Sequence, residues 1–163
     1  MAFSPNDNRA ERPIRWNCLV LLLIVPLKRV VLIRTPSKDY DRLSVPGGGD
    51  EEYELEPRET AEREFGEETG IWLRDLFPGQ EILKLAFTEK RDSRSGGTHD
   101  YHLFVGAVDW APIESVMLRG ATGEVVELVP AADFMWNPDF HDPHREFLTK
   151  PDVLEGVKEA LGV

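Results

Sequence analysis

The sequence predicts an α/β fold of the α+β kind, a mixed β-sheet with helices packed on it, and three observations predict it. The run CLVLLLIVPLKRVVLI at residues 18–33 carries Leu, Ile and Val without alternation, the pattern of strands covered on both faces. Strand, helix, strand and helix patterns then follow one another along the chain, which calls for layers. With 163 residues, 41% of them hydrophobic and 30% charged, the chain has room for one buried core and little more. Residues 1–14 open on MAFSPNDNRAER, polar and without apolar periodicity, and are expected to be a loose segment, leaving 15–163 as a single domain. The apolar run is no membrane span, because Pro26, Lys28 and Arg29 interrupt it well short of about 20 residues, and no small-residue cleavage site follows it. It reads as two buried strands joined by a tight turn. A polar loop, TPSKDYDRL, leads to LSVPGGG, a short strand broken at Pro46 and turned at Gly47 to Gly49. Pro57 suits the first turn of a helix that should run to about Thr69, with Gly70 as its stop. EILKLAFTEKR and DYHLFVGAVDW flank DSRSGGTH as a hairpin, residues 124–129 form a further strand, and Val153, Leu154, Val157 and Leu161 give a terminal amphipathic helix over 151–163.

The formal charge of −11 argues against long-range attraction to a nucleic acid or an anionic membrane, so neither is an expected partner. Cys18, the single cysteine, can form neither an internal disulfide nor a multi-cysteine metal cage. It is expected in the core, and its solitude fits a reducing, cytoplasmic setting.

The acidic residues are concentrated. Residues 50–68 hold ten carboxylates against Arg58 and Arg63, a local sum of −8. A solvated helix face is the ordinary reading of such a run. Spacing supplies a second: Glu64, Glu67 and Glu68 stand at i, i+3 and i+4, so all three project from one side of the helix and repel one another. A hard divalent cation, Mg²⁺ or Mn²⁺ in its place, would relieve that repulsion, since it takes oxygen ligands and is commonly completed by substrate phosphates. The three glycines just before the helix let backbone approach a ligand or metal closely.

Together these residues resemble the Nudix hydrolase signature, Gly, five residues, Glu, seven residues, Arg-Glu-apolar, one residue, Glu-Glu, one residue, Gly-apolar. In GDEEYELEPRETAEREFGEETGI, Gly49, Arg63, Glu64, Phe65, Glu67, Glu68, Gly70 and Ile71 take eight of the nine defined positions without gaps. The first glutamate falls on Leu55, between Glu54 and Glu56. With that position apolar, Arg63 is expected to pair with Glu59 or Glu56, and activity is expected to survive.

The resemblance implies a Nudix-like α/β/α sandwich and a Mg²⁺-dependent pyrophosphohydrolase that cleaves a nucleoside diphosphate linked to another moiety. On it, Glu64, Glu67, Glu68 and a carbonyl near Gly48 hold the metal, and Glu67, Glu68, Glu124 and Arg63 form the catalytic set. Glu124 is the first choice for a further glutamate, with Glu127 and Glu89 as alternatives. Gly48, Gly49, Arg34 and Arg42 are the substrate-side candidates, although a solvated role competes for Arg42, as for Lys38 and Arg91. His99 with His102, and His141 with His144 in HDPHRE, expected to be a Pro-rich loop, are read as surface histidines and not as zinc ligands. Tyr40, Trp110, Trp136 and Phe140 are expected to pack at the core or rim, and Ser95 and Ser115 lack a nucleophile-elbow context. Two other readings stand beside the enzyme: a catalytically silent Nudix-fold sensor, which Leu55 keeps open, and an unrelated acidic scaffold. The diphosphate substrate is left open, and the edges of a mixed sheet allow a homodimer.

Overall fold

The computed structural model describes residues 13–93, 96–110 and 118–162. The greater part of the loose N-terminal segment, together with Ser95 and Ser115, lies outside them.

The apolar run becomes β1 (Trp16–Ile24), a 3₁₀ turn closed by Lys28 in the left-handed region, and β2 (Arg29–Arg34). Side chains alternate across a strand, so Cys18, Val20, Leu22 and Ile24 enter one core while Leu19 and Leu21 enter another on the opposite face. Each fully buried Leu or Ile contributes about 1.5–3 kcal/mol, which is why the run tolerates no alternation. The chain continues through β3 (Leu43–Ser44), β4 (Gly47–Gly49), helix α1 (Pro57–Thr69), a one-turn helix α2 (Leu73–Leu76), β5 (Lys84–Asp92), β6 (Thr98–Val108), β7 (Val125–Pro130), α3 (Asp142–Leu148) and α4 (Pro151–Leu161). The strand expected at 124–129 thus lies one residue later, leaving Glu124 at its threshold.

These seven strands form one mixed sheet. β1 runs parallel to β6 along its whole length, from Trp16 opposite Asp100 to Ile24 opposite Val108. On its other edge β1 meets β2 only at Leu23–Val30 and Ile24–Arg29, and its first half pairs instead with β4 at Asn17–Gly49, Cys18–Gly48 and Leu19–Gly47. β2 meanwhile pairs with β7 and β3. The sheet therefore forks as β1 and β2 separate. Ala61 and Phe65 of α1 cover one face; Phe147 and Leu148 of α3 and Val153 of α4 cover the other, giving an α/β/α sandwich.

Helix α1 begins with Pro57 in its first turn and ends at Gly70, whose φ of 78° is the left-handed stop that the sequence predicts. HDPHRE is a correction: the segment opens α3, with His141 as the cap and Pro143 in the first turn. Asp142-Pro143 was the local sign of a helix start. Among the described residues no helix is long and apolar enough to cross a membrane.

Candidate active site

Arg63 is the hub of the acidic segment. Its Nε donates to Glu54 Oε2 at 3.0 Å, its Nη2 to Glu54 Oε1 at 3.3 Å and to the Gly49 carbonyl at 2.9 Å, and its Nη1 to Glu64 and Glu67, each at 3.1 Å. Glu54 is 1% exposed and also accepts the Glu51 N–H at 2.7 Å and the Thr60 hydroxyl at 2.8 Å. Burial acts to raise the Glu54 carboxyl, but Arg63, the Glu51 amide and Thr60 overcome it and hold Glu54 below its ordinary range.

The expected partners of Arg63 are thereby corrected. Glu59 accepts the Leu55 N–H at 3.2 Å, Glu56 stands just before α1 with no side-chain capping bond, and Leu55 is 84% exposed. A turn closed by the Glu54 N–H on the Glu51 carbonyl aims Glu54 inward one residue before the ungapped count. The place that appeared to lack a carboxylate has one.

Glu64 reaches beyond this hub, and two more glutamates stand beside it. The Glu64 carboxylate lies against Gly48: a Cβ there would sit 2.5 Å from its carboxyl carbon, so any larger residue would displace the carboxylate from this place. Glu68 Oε1 accepts the Gly47 N–H at 2.7 Å. Glu124 is 5% exposed, and its Oε1 accepts the N–H and the hydroxyl of Thr122 at 3.0 and 2.6 Å. The strand that Glu124 precedes is tied to α1 through the Ala121 N–H on the Glu67 carbonyl at 2.6 Å. Burial first, then the charges of Glu64, Glu124 and Glu67, push the Glu68 carboxyl up to about 8, against the Gly47 hydrogen bond. The alternatives to Glu124 are engaged elsewhere, Glu127 with Arg34 and Glu89 with Arg91 and Lys150.

Carboxylates that repel one another beside open backbone offer the hard-oxygen donors a divalent cation takes. They are not gathered into a ligand triangle: Glu64 and Glu67 are both drawn to Arg63 Nη1, and among the described residues no group of three or more His, Cys, Asp or Glu is arranged to hold a metal ion.

A cleft of about 310 Å³ opens in the fork of the sheet, with Asn17 and Leu19 of β1, Ile33 of β2 and Ser44 of β3 on its walls and Gly47, Gly48 and Glu68 at one side. His141, His144, Tyr101 and Lys38 also line it. Arg42 borders an adjoining cleft of about 270 Å³ that shares Lys38 and His141 with the first. Lys38, His141 and His144 are residues that sequence reasoning set aside as surface groups. Arg34 is occupied: it pairs with Glu127 and Asp139, each at 3.1 Å, and donates to the Tyr40 carbonyl at 3.0 Å, which holds the loop after β2. Cys18 is fully buried, Phe140 lies in the core, and the Tyr40 hydroxyl donates to the Gly123 carbonyl.

Comparison with known proteins places the fold. The NUDIX domain family matches the chain over residues 14–150. Among solved structures, the chain is similar to the dihydroneopterin triphosphate pyrophosphohydrolase of E. coli, with 17% identity, 91% of this chain and 97% of that one covered, and a TM-score of 0.56. The NUDIX domain of Shewanella oneidensis NrtR, solved with ADP ribose, aligns at 18% identity over 90% of this chain and 94% of that one, with a TM-score of 0.57. For an Ap4A hydrolase of C. elegans the values are 12%, 91%, 98% and 0.53. No curated protein matches the chain.

Proposed function

The chain belongs to the Nudix family, whose hydrolases act on phosphorus-containing anhydrides, and from that premise we propose that it is a Mg²⁺-dependent pyrophosphohydrolase. Its substrate on this reading is a nucleoside diphosphate linked to another moiety, and residues 15–163 act as one domain. The observation that carries the proposal is Glu68 on the Gly47 N–H and Glu64 against Gly48, two α1 carboxylates brought to the glycine backbone at one side of the cleft.

Glu64, Glu67 and Glu68 would hold the cation, with Gly48 backbone beside them; when bound, it supplies charge neutralisation on the phosphate oxygens and lowers the pKa of water. The other roles fall to the chain itself. Displacement at phosphorus needs an attacking water held in line and relieved of its proton, and Glu124, buried and fixed by Thr122 beside Glu68, is the carboxylate to accept it. Arg63, clamped by Glu54, keeps the α1 carboxylates and the Gly49 carbonyl in register. Gly48 and Gly49 admit the diphosphate against bare backbone. A reducing setting, the cytoplasm, accords with the single buried thiol.

The silent-sensor reading rested on Leu55 and loses that support once Glu54 occupies the place. The test is release of product from nucleoside triphosphates, nucleotide sugars, ADP-ribose and dinucleotide polyphosphates with Mg²⁺ or Mn²⁺, beside Glu67→Gln. Metal-dependent turnover that the variant lacks is the expected result; turnover untouched by it would remove the α1 carboxylates from the chemistry.

A further inference from the structure

The cleft does not end at the carboxylates. From Gly47, Gly48 and Glu68 it reaches Lys38 and His141, and these two residues also wall the adjoining cleft, which Arg42 borders. A substrate whose diphosphate lies against Gly48 therefore extends its other half toward Lys38 and Arg42.

The charge there is mixed where the catalytic end is acidic, with Lys38 and Arg42 beside Asp41 and Asp142. In a chain with a net charge of −11, Lys38 and Arg42 form no ion pair among the described residues. Two carboxylates border the same space, Asp41 and Asp142, but Asp142 is bound by Arg145. Both histidines register the cations: after burial, Lys38 and Arg42 lower the His141 pKa against the pull of Asp142, and His141, Lys38 and Arg91 lower that of His144. His144 is a neutral ring whose Nδ1 accepts the Val45 N–H at 3.1 Å, so its Nε2 carries the hydrogen and lends the cleft a donor.

The loop that presents the cations is held against its own preference. Asp39 and Tyr40 are consecutive non-glycine residues in the left-handed region, at φ 51° and 59°. Such positions cost on the order of 1–3 kcal/mol each and persist where surrounding contacts impose them. Here the Tyr40 N–H on the Thr35 carbonyl, the Tyr40 hydroxyl on the Gly123 carbonyl and Arg34 on the Tyr40 carbonyl do so.

Resting on the pyrophosphohydrolase reading, we infer that the substrate's second half bears an anion of its own, a phosphate or a carboxylate, which Lys38 and Arg42 bind with His144 as an added donor. The enzyme selects for a charge remote from the bond it breaks.

Two matched pairs test this: ADP-ribose against its 2′-phosphate, and UDP-glucose against UDP-glucuronate, each measured by kcat/KM with Mg²⁺ and by Kd from calorimetry. The expected result is a preference of about tenfold or more for the charged member of at least one pair, the scale of one charged hydrogen bond. The pair that shows it tells phosphate from carboxylate. In the Lys38→Ala/Arg42→Ala double variant, with its unfolding temperature as the check on folding, the ratio should fall to about one, and in Lys38→Glu it should fall as well. A ratio of one in the wild type for both pairs, or a preference the double variant retains, overturns the inference while leaving pyrophosphate hydrolysis standing. Tighter binding of a charged member, lost in the double variant but without hydrolysis of any substrate, would sustain the inference and remove the hydrolase reading. Binding of neither member of either pair would overturn it.

Discussion

Replacing Glu54 by alanine removes a side chain that is 1% exposed and accepts four hydrogen bonds, two from Arg63 and one each from Thr60 and the Glu51 amide. Breaking a buried ion pair by deleting one partner costs about 3–5 kcal/mol, because the other charge stays buried. Arg63 keeps Glu64 and Glu67 on Nη1, which places the loss near the lower end, about 3 kcal/mol. For a chain of this length each kcal/mol moves the melting temperature by roughly 2–4 °C, so the variant should melt roughly 6–12 °C below wild type. Leu55→Glu restores the signature on paper, yet it acts at a side chain that is 84% exposed and touches none of these groups. Its effect should stay within about 0.5 kcal/mol. Urea and thermal unfolding of the metal-free wild type, Glu54→Ala and Leu55→Glu, with turnover measured on each, separate the two positions. A Glu54→Ala protein that unfolds with wild type, or a Leu55→Glu protein that changes more than it does, would refute the assignment of Glu54 as the clamp on Arg63.

Gly48→Ala puts a methyl group 2.5 Å from the Glu64 carboxyl carbon, a flexible end that can swing aside, whereas Gly47→Ala drives one to 2.1 Å from the Cys18 carbonyl. The first should fold and lose at least about tenfold in turnover, and the second should lose stability; comparing melting temperature with kcat for both checks this. Glu68 binds its proton more tightly folded than unfolded, so its contribution to metal-free stability is complete below its ordinary value of 4.5 and is lost as pH rises through about 8. The stabilisation by Mg²⁺ should accordingly widen from about pH 6 to about pH 9, and Glu68→Gln should flatten the metal-free slope; an unchanged slope in the variant would assign it to other groups. Cys18 is fully buried, donates to the Pro57 carbonyl, and has its pKa raised far above the thiol range by burial and then by Glu54, Asp50 and Glu64. A thiol-disulfide reagent should react with one equivalent in denaturant and with none in the native protein.

The elements that depend on local rules were legible. The unalternating run at 18–33 yields two doubly covered strands, and Pro57 and Gly70 mark both ends of α1. The carboxylates fixed by helical periodicity, Glu64, Glu67 and Glu68, share a face because 3.6 residues per turn leaves them no choice. Spacing failed where the backbone is irregular. An ungapped count treats residues 50–56 as uniform, but the turn at Glu51–Glu54 exchanges an inward carboxylate for an outward leucine. His144 was illegible for another reason: its role depends on Val45, 99 positions away, and no local pattern reports such a contact. The partners of Arg34 were illegible similarly, since Glu127 and Asp139, which pair with it, arrive from the far end of the chain.

The parallel pairing of β1 with β6 has a consequence for the growing chain. Trp16 finds its partner Asp100 only 84 positions later, and the ladder is not complete until Val108 has been made. Until then one edge of β1, the most apolar strand, has no neighbour, although the segments that pair with its other edge already exist. Non-local pairing of this kind is slow because the connecting chain must be ordered before the contacts reward it. At roughly 5–20 residues per second, a ribosome holds that unfinished edge open for several seconds at least, the interval in which a nascent chain of this sequence needs a chaperone's cover or a low local concentration to avoid pairing with a copy of itself.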